Sequence, residues 1–282
     1  MMHDYLYTNH QLWDAWTALH ETSDFYDLPG FKAGKSSLRP IERAELTDVT
    51  GRSLLHLQCH FGLDTLSWAR EGAVVTGVDF SPQSIALAQA LSTELSIPAT
   101  FVCAPIENLP DVLCGQFEII FTSYGVLPWL RDLRRWASVI AQFLQPNGIL
   151  YLVDDHPLMR TLSATEGGEL TVSNAYFFTE EPSRMQARGS YAAPGDAQTP
   201  VREWYIWNHS MGEILNALIG AGLQIEFLHE FPFAMRAKFP DMERGADGVW
   251  RRSRPPLIPL LFSLQARKPS HVVGRRDGLS SE

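Results

Sequence analysis

Two short stretches hold side chains that could do chemistry together. The first is His56-Leu57-Gln58-Cys59-His60-Phe61-Gly62. The second is Val78-Asp79, with Asp79 seventeen residues after Gly62. An apolar run, a tight turn, a helical pattern and an acid ending the next apolar run make a nucleotide-binding arrangement. The turn offers backbone N–H groups and a helix N-terminus, and the carboxylate accepts hydrogen bonds from a ribose diol. Other chemistries fit these residues less well. His56, Cys59 and His60 span a strand end and a turn, so they do not project to one point as helical ligands do, and no metal is expected. Cys59 has no apparent base to make it a nucleophile. Gly30 to Ser36 has three residues between its glycines where a phosphate loop has four, and no strand precedes it. Arg251-Arg252-Ser253-Arg254 reads as a solvated loop, with contact to an acidic substrate as the alternative. His156 follows the fifth apolar run and is the best-placed general base. Tyr124, after the fourth, stands between a site role and packing. Trp13, Trp16 and His20 share a helical face that could be core or site lining.

The elements that must position these residues are legible from 53 to 154. Apolar runs at Ser53–Leu57, Val74–Val78, Thr100–Cys103, Phe117–Thr122 and Ile149–Val153 read as strands. Helical patterns lie between them. Ser81-Pro82 starts one helix, because Ser accepts a backbone N–H bond and Pro has no N–H to lose there. Short apolar strands alternating with helices imply a parallel sheet covered on both faces, with ligands at the carboxyl ends of the strands. Two further strands are read at Gln224–Glu230 and Leu260–Ala266, after a helix capped by Ser210. The expected fold is therefore α/β, a doubly wound and mostly parallel seven-stranded sheet. Residues 51–156 and 209–267 form the main domain. Residues 1–50 are a helical cap, 157–208 an antiparallel β insertion rich in aromatics, and 268–282 a mobile tail. The segment between the last two strands, with its prolines and glycines, reads as a long loop.

This chain resembles the class I S-adenosylmethionine-dependent methyltransferases, whose Rossmann-like fold has this order of elements. Their first motif is an apolar strand, an acid and Gly-x-Gly-x-Gly. Gln58, His60 and Gly62 stand where the three glycines would be, and His56 where the acid would be, so only Gly62 matches. Asp79 matches the ribose-binding acid, and Phe80-Ser81 follow it where an apolar residue flanks adenine. Ala104 to Pro110 is similar to the third-strand motif, with Pro105 in place of the adenine-binding acid and the backbone of Ile106 left to serve adenine. Phe117 to Leu127 resembles the motif flanking the methyl donor, and Leu144 to Leu150 the turn into the fifth strand. The resemblance implies S-adenosyl-L-methionine as cofactor, held by Gln58, Cys59, His60, Gly62, Asp79, Phe80, Ile106, Thr122 and Ser123. It implies methyl transfer to an O or N atom of a small molecule, with Trp16, His20 and Tyr26 lining the acceptor site and His156 and Tyr124 as catalytic candidates. A relative that binds the cofactor without transferring its methyl is the alternative. A nicotinamide oxidoreductase would need a Gly-x-Gly-x-x-Gly turn, which is absent.

Composition narrows the partners. The 282 residues carry 23 Lys+Arg against 32 Asp+Glu, a net charge of −9. That balance opposes nucleic acid, where Lys and Arg must neutralise phosphates, and opposes a basic membrane-surface role. Three cysteines without repeated spacing are no disulfide framework, so a cytoplasmic protein is expected. A homodimer is compatible with all of this.

Overall fold

A computed structural model describes residues 5–195 and 197–270, so the expected tail lies outside the described residues from 271 onward. The seven principal strands are β1 (Ser53–Leu57), β2 (Val74–Asp79), β3 (Thr100–Cys103), β4 (Phe117–Ser123), β5 (Leu144–Asp155), β6 (Gln224–Phe231) and β7 (Leu261–Arg267). They form one sheet in the order β6-β7-β5-β4-β1-β2-β3. The first five run parallel to one another. Only β7 is antiparallel to both strands beside it. The order reverses between β1 and β4, and at such a switch point the chain leaves to opposite faces and opens a crevice.

Successive side chains of a strand point to opposite faces, which is why the central strands are apolar at nearly every position. Leu55, Leu57, Ile120 and Leu152 share one core with Trp136 and Ile140 of the helix Leu133–Phe143. Leu54, Phe121, Tyr151 and Val153 share the other with Trp68. Each such fully buried aliphatic side chain contributes ~1.5–3 kcal/mol relative to exposure.

Three helices precede the sheet: α1 (Tyr5–Glu21), α2 (Leu28–Lys32) and α3 (Pro40–Glu45). Two more follow β1 and β2: α4 (Leu63–Arg70) and α5 (Pro82–Glu94). Ser81 caps α5 by accepting from the Ser84 amide at 3.1 Å, with Pro82 at the first helical position. Residues 157–208 hold a short helix and two antiparallel pairs, Leu162–Ala164 with Leu170–Val172 and Ser183–Arg188 with Val201–Ile206. Helix α1 is tied to the second pair by Asn9, which exchanges 2.8 and 2.9 Å hydrogen bonds with the Tyr205 backbone.

One reading needs correction. The segment between β6 and β7 is not a plain loop but carries a three-stranded sheet of Phe233–Ala234, Met242–Arg244 and Trp250–Arg252. Its strands are two or three residues long, too short for alternation to show. Buried Arg252, 2.9 Å from Asp241, anchors it. The basic run at 251–254 is thus split: Arg252 is structural and Arg251 pairs with Asp247 at 2.7 Å.

Candidate active site

The turn from β1 into α4 is the floor of the site. Gln58, His60 and Gly62 all have left-handed backbone, at φ 55°, 51° and 78°. These are the three positions at which the sequence lines up with glycines. The backbone path is thus kept at all three, though side chains at 58 and 60 strain it. Gly62 has no such latitude. A Cβ there would stand 2.7 Å from the Phe101 ring and 3.1 Å from Ala88. Gly62→Ala is expected to destabilise the fold by about 2 kcal/mol or more, through overpacking and left-handed strain together. An urea titration with an unshifted midpoint would contradict this.

Asp79 ends β2 beneath that turn and is 5% exposed. Its Oδ2 accepts from the His60 amide at 2.8 Å, and its Oδ1 from the Ser81 amide at 2.9 Å. Burial pushes its carboxyl up to about 6, with the amides of Ser81, His60 and Phe80 opposing. It is therefore ionised near neutral pH. Each oxygen has a second lone-pair direction beyond the backbone bond it receives.

The substituted side chains have acquired partners. Gln58 Nε2 donates to the Val126 carbonyl at 3.1 Å, bridging the turn to the loop after β4. His60 bonds Ser84 Oγ at 2.9 Å and His20 Nδ1 at 2.8 Å. His20 continues to Ser190 Oγ at 3.0 Å. Burial lowers His20 to about 3 and His60 well below its ordinary value, so both rings are neutral. The relay fastens floor, cap and insertion to one another.

The cavity above this floor is about 740 Å³. That is in the upper part of the ~300–1,000 Å³ usual for small-molecule sites, enough for a nucleoside cofactor and a small acceptor together. Gln58, Cys59, His60, Gly62, Asp79, Phe80, Ser123 and Tyr124 all line it, as do Trp16 and Tyr26. Four expected residues do not. Ile106 packs into the core beside Leu55 and Leu57. Thr122 is fully buried, with Oγ1 3.5 Å from the Leu57 carbonyl. His20 lies behind the wall, in the relay. His156 is the clearest departure: its Nδ1 caps the helix Pro157–Thr161 by accepting from Leu158 at 3.1 Å, and its Nε2 lies 2.7 Å from Glu230. Both ring nitrogens are engaged outside the cavity, because the Pro after it makes 156 a helix cap.

Tyr124 lines the cavity, but its hydroxyl donates to Glu42 Oε2 at 2.6 Å. Burial, then the nearby Asp64 charge, raise Glu42 to about 8. A carboxyl held above its unfolded value stabilises fully below about pH 4.5 and loses that contribution as pH rises through about 8. Glu42→Gln is therefore expected to keep its melting temperature from about pH 7 to about pH 9, while the parent falls by several degrees. Parallel melting curves would contradict it.

Several residues on or beneath the wall were not named as site residues, though Asp64 and Asp154 lie at or after strand ends, where functional residues are expected. Trp129 follows β4 and meets Trp13 edge-on at 5.2 Å. Asp64, in the first turn of α4, accepts from Ser37 Oγ at 2.6 Å. Asp154, 1% exposed, receives the amides of Gly125, Val126 at 3.1 Å and Leu127 at 3.0 Å, and so shapes the loop after β4. A strand-end acid next to a predicted site loop was the available signal.

Three cavity residues carry buried polar atoms with no partner among the described residues: His56 Nε2, Gln58 Oε1 and Trp13 Nε1. Such atoms cost free energy unless a ligand completes them. Together with the Asp79 carboxylate they offer polar atoms to a ligand in the cavity. The aromatic faces of Trp13 and Trp129 suit a sulfonium cation.

Residues 55–152 match the methyltransferase domain family. That span, about a third of the chain, is a methyltransferase domain. An S-adenosylmethionine-dependent methyltransferase from Mesorhizobium loti superposes with a TM-score of 0.54 at 22% identity, covering 84% of this chain and 99% of that one. One from Methanosarcina mazei gives 0.55 at 17%, covering 83% and 99%. These likenesses establish the fold. A ubiquinone biosynthesis O-methyltransferase of Erwinia tasmaniensis is 23% identical over 63% of this chain and 73% of its own length. A methyltransferase of Synechocystis is 32% identical over 44% of this chain and 56% of its own. Among the described residues no helix is long and apolar enough to cross a membrane.

Proposed function

We propose that this methyltransferase moves the methyl group of S-adenosylmethionine to an O or N atom of a small molecule held under α1 and the insertion. The observation that carries this is the left-handed turn over the ionised Asp79, opening into an aromatic-walled cavity. When bound, the cofactor supplies an electrophilic methyl on a sulfonium. The chain's own part is alignment and exclusion of water. Gln58, His60 and Asp79 would hold the cofactor, and Phe80 would flank its adenine. Trp13 and Trp129 would face the cation. Trp16 and Tyr26 would close the acceptor space from above. Trp16 Nε1 donates to the Gly189 carbonyl at 2.9 Å, and the Tyr26 and Tyr191 hydroxyls meet at 2.5 Å, so cap and insertion roof the site jointly.

The ubiquinone-pathway relatives favour an oxygen acceptor. The rival reading, a binder without turnover, draws on the side chains at 58 and 60. Incubation with S-adenosylmethionine and a panel of phenols, catechols, amines and carboxylic acids separates the two. The account expects S-adenosylhomocysteine to accumulate with at least one acceptor class. Tight binding of S-adenosylhomocysteine with no turnover on any class favours the rival.

A further inference from the structure

The cavity wall is not electrically uniform. At the carboxyl end of β5, Asp155 Oδ2 lies 3.2 Å from Arg160 Nη2 and 3.0 Å from Arg236 Nη2. Lys238 also lines the cavity and makes no ion pair among the described residues. Asp247, a further acid on the wall, is held by both terminal nitrogens of Arg251 at 3.0 and 2.7 Å. Two neighbouring carboxylates, Asp155 and the buried Asp154 that feels Arg160, therefore stand beside three cations, in a protein whose net charge is −9.

The three cations sit close together. Partial desolvation, then the neighbouring charges of Arg236 and Arg160, lower the Lys238 ammonium below its ordinary value. Arg160 Nη2 is 3.8 Å from where a Cβ on Gly125 would stand, which places it beside the loop after β4. Arg236 lies with its guanidinium 6.0 Å from the Tyr191 ring centre, under the roof. Each guanidinium has five N–H donors in a planar fork, and Asp155 takes one from each. Both guanidiniums keep donors beyond those Asp155 takes, and Arg160, Arg236 and Lys238 all line the cavity. Like charges gathered at a partly desolvated wall repel unless an anion joins them. Planar forks of this kind match the oxygens of a carboxylate or phosphate.

We infer that the acceptor carries an anionic group, a carboxylate or a phosphate, that Arg160, Arg236 and Lys238 hold beside the loop after β4. This deepens the proposed methyl transfer and rests on it. The anion fixes one end of the acceptor, and the atom to be methylated lies at the other, toward the donor. A neutral acceptor of the same shape would leave the excess positive charge of this wall unmatched.

Calorimetry on the full chain tests this. S-adenosylhomocysteine is titrated first, and that result bears on the methyltransferase reading alone. Benzoate, phenyl phosphate and neutral benzamide are then titrated, into the loaded protein if it loads and into the free chain if it does not. At least one anion is expected to bind about tenfold or more tightly than benzamide. The tighter of the two names the acceptor's anionic group. Arg236→Gln and Lys238→Gln should each erode the preference and leave S-adenosylhomocysteine affinity unchanged. Lys238 makes no ion pair among the described residues and keeps one side to solvent, so its variant is the milder of the two for folding, and a melting curve checks it. Anions that bind no better than benzamide, or not at all, overturn the inference. So does a preference that survives both substitutions.

Discussion

Asp79→Ala is expected to weaken S-adenosylmethionine binding at least tenfold. The carboxylate is buried under the turn, ionised near neutral pH, and accepts one backbone amide on each oxygen. A ribose diol would take the remaining lone pairs. Charge-assisted hydrogen bonds contribute ~1.5–3 kcal/mol each, and about 1.4 kcal/mol is already tenfold. The alanine variant also strands the His60 and Ser81 amides, so the turn loses its brace and its ligand contact together. Titration calorimetry of the variant, with a melting curve to confirm the fold, reads the effect. Unchanged affinity in a folded variant would displace Asp79 from the site. A pH series on the parent gives a second view. Affinity should fall as pH drops through about 6, where the Asp79 carboxyl takes up a proton and ceases to accept.

The second large effect is expected from Asp154→Ala, and it falls on stability first. Three successive amides, those of Gly125, Val126 and Leu127, converge on this one carboxylate. Burial pushes its carboxyl up from the ordinary value, with Arg160 countering. Removing it leaves buried N–H donors without an acceptor, a loss of about 3 kcal/mol or more. In a protein of this size that lowers the melting temperature by roughly 10 °C. The consequence reaches the site. Val126 also accepts from Gln58, so a loop released at 125–127 loosens the floor of the cavity. Asp154→Asn keeps one acceptor oxygen and should fall between the parent and the alanine variant. An alanine variant as stable as the parent would show that the loop is held by other contacts.

The central sheet was legible because each strand is an apolar run closed by a turn signal. Ser81-Pro82 and Ser210 marked helix starts that the structure shows, the second as a reciprocal cap with Glu213 at 2.7 Å. The turn that floors the candidate site was legible where backbone geometry decides it, at Gln58, His60, Gly62 and Asp79. It was illegible where side-chain direction decides. His156 follows a strand end as site residues do, yet it caps a helix. The Ile106 side chain packs in the core, while the role expected of this residue rests on its backbone. His20 shares a helical face with Trp16 but reaches past the wall to His60 and Ser190. The cationic patch was hidden for a different reason. Arg160 and Arg236 are far apart in the chain and meet only through Asp155. No local spacing announces such a cluster. Nor could the two- and three-residue strands of the segment after β6 be told from turns, since Arg252 reaching Asp241 anchors them.

The most direct test of the central claim is a calorimetric titration of the full chain with S-adenosylmethionine and S-adenosylhomocysteine. The left-handed turn, the ionised Asp79 and the unpartnered atoms of His56, Gln58 and Trp13 predict saturable binding of both, with one site per chain. Absence of binding of either ligand into the millimolar range would contradict it.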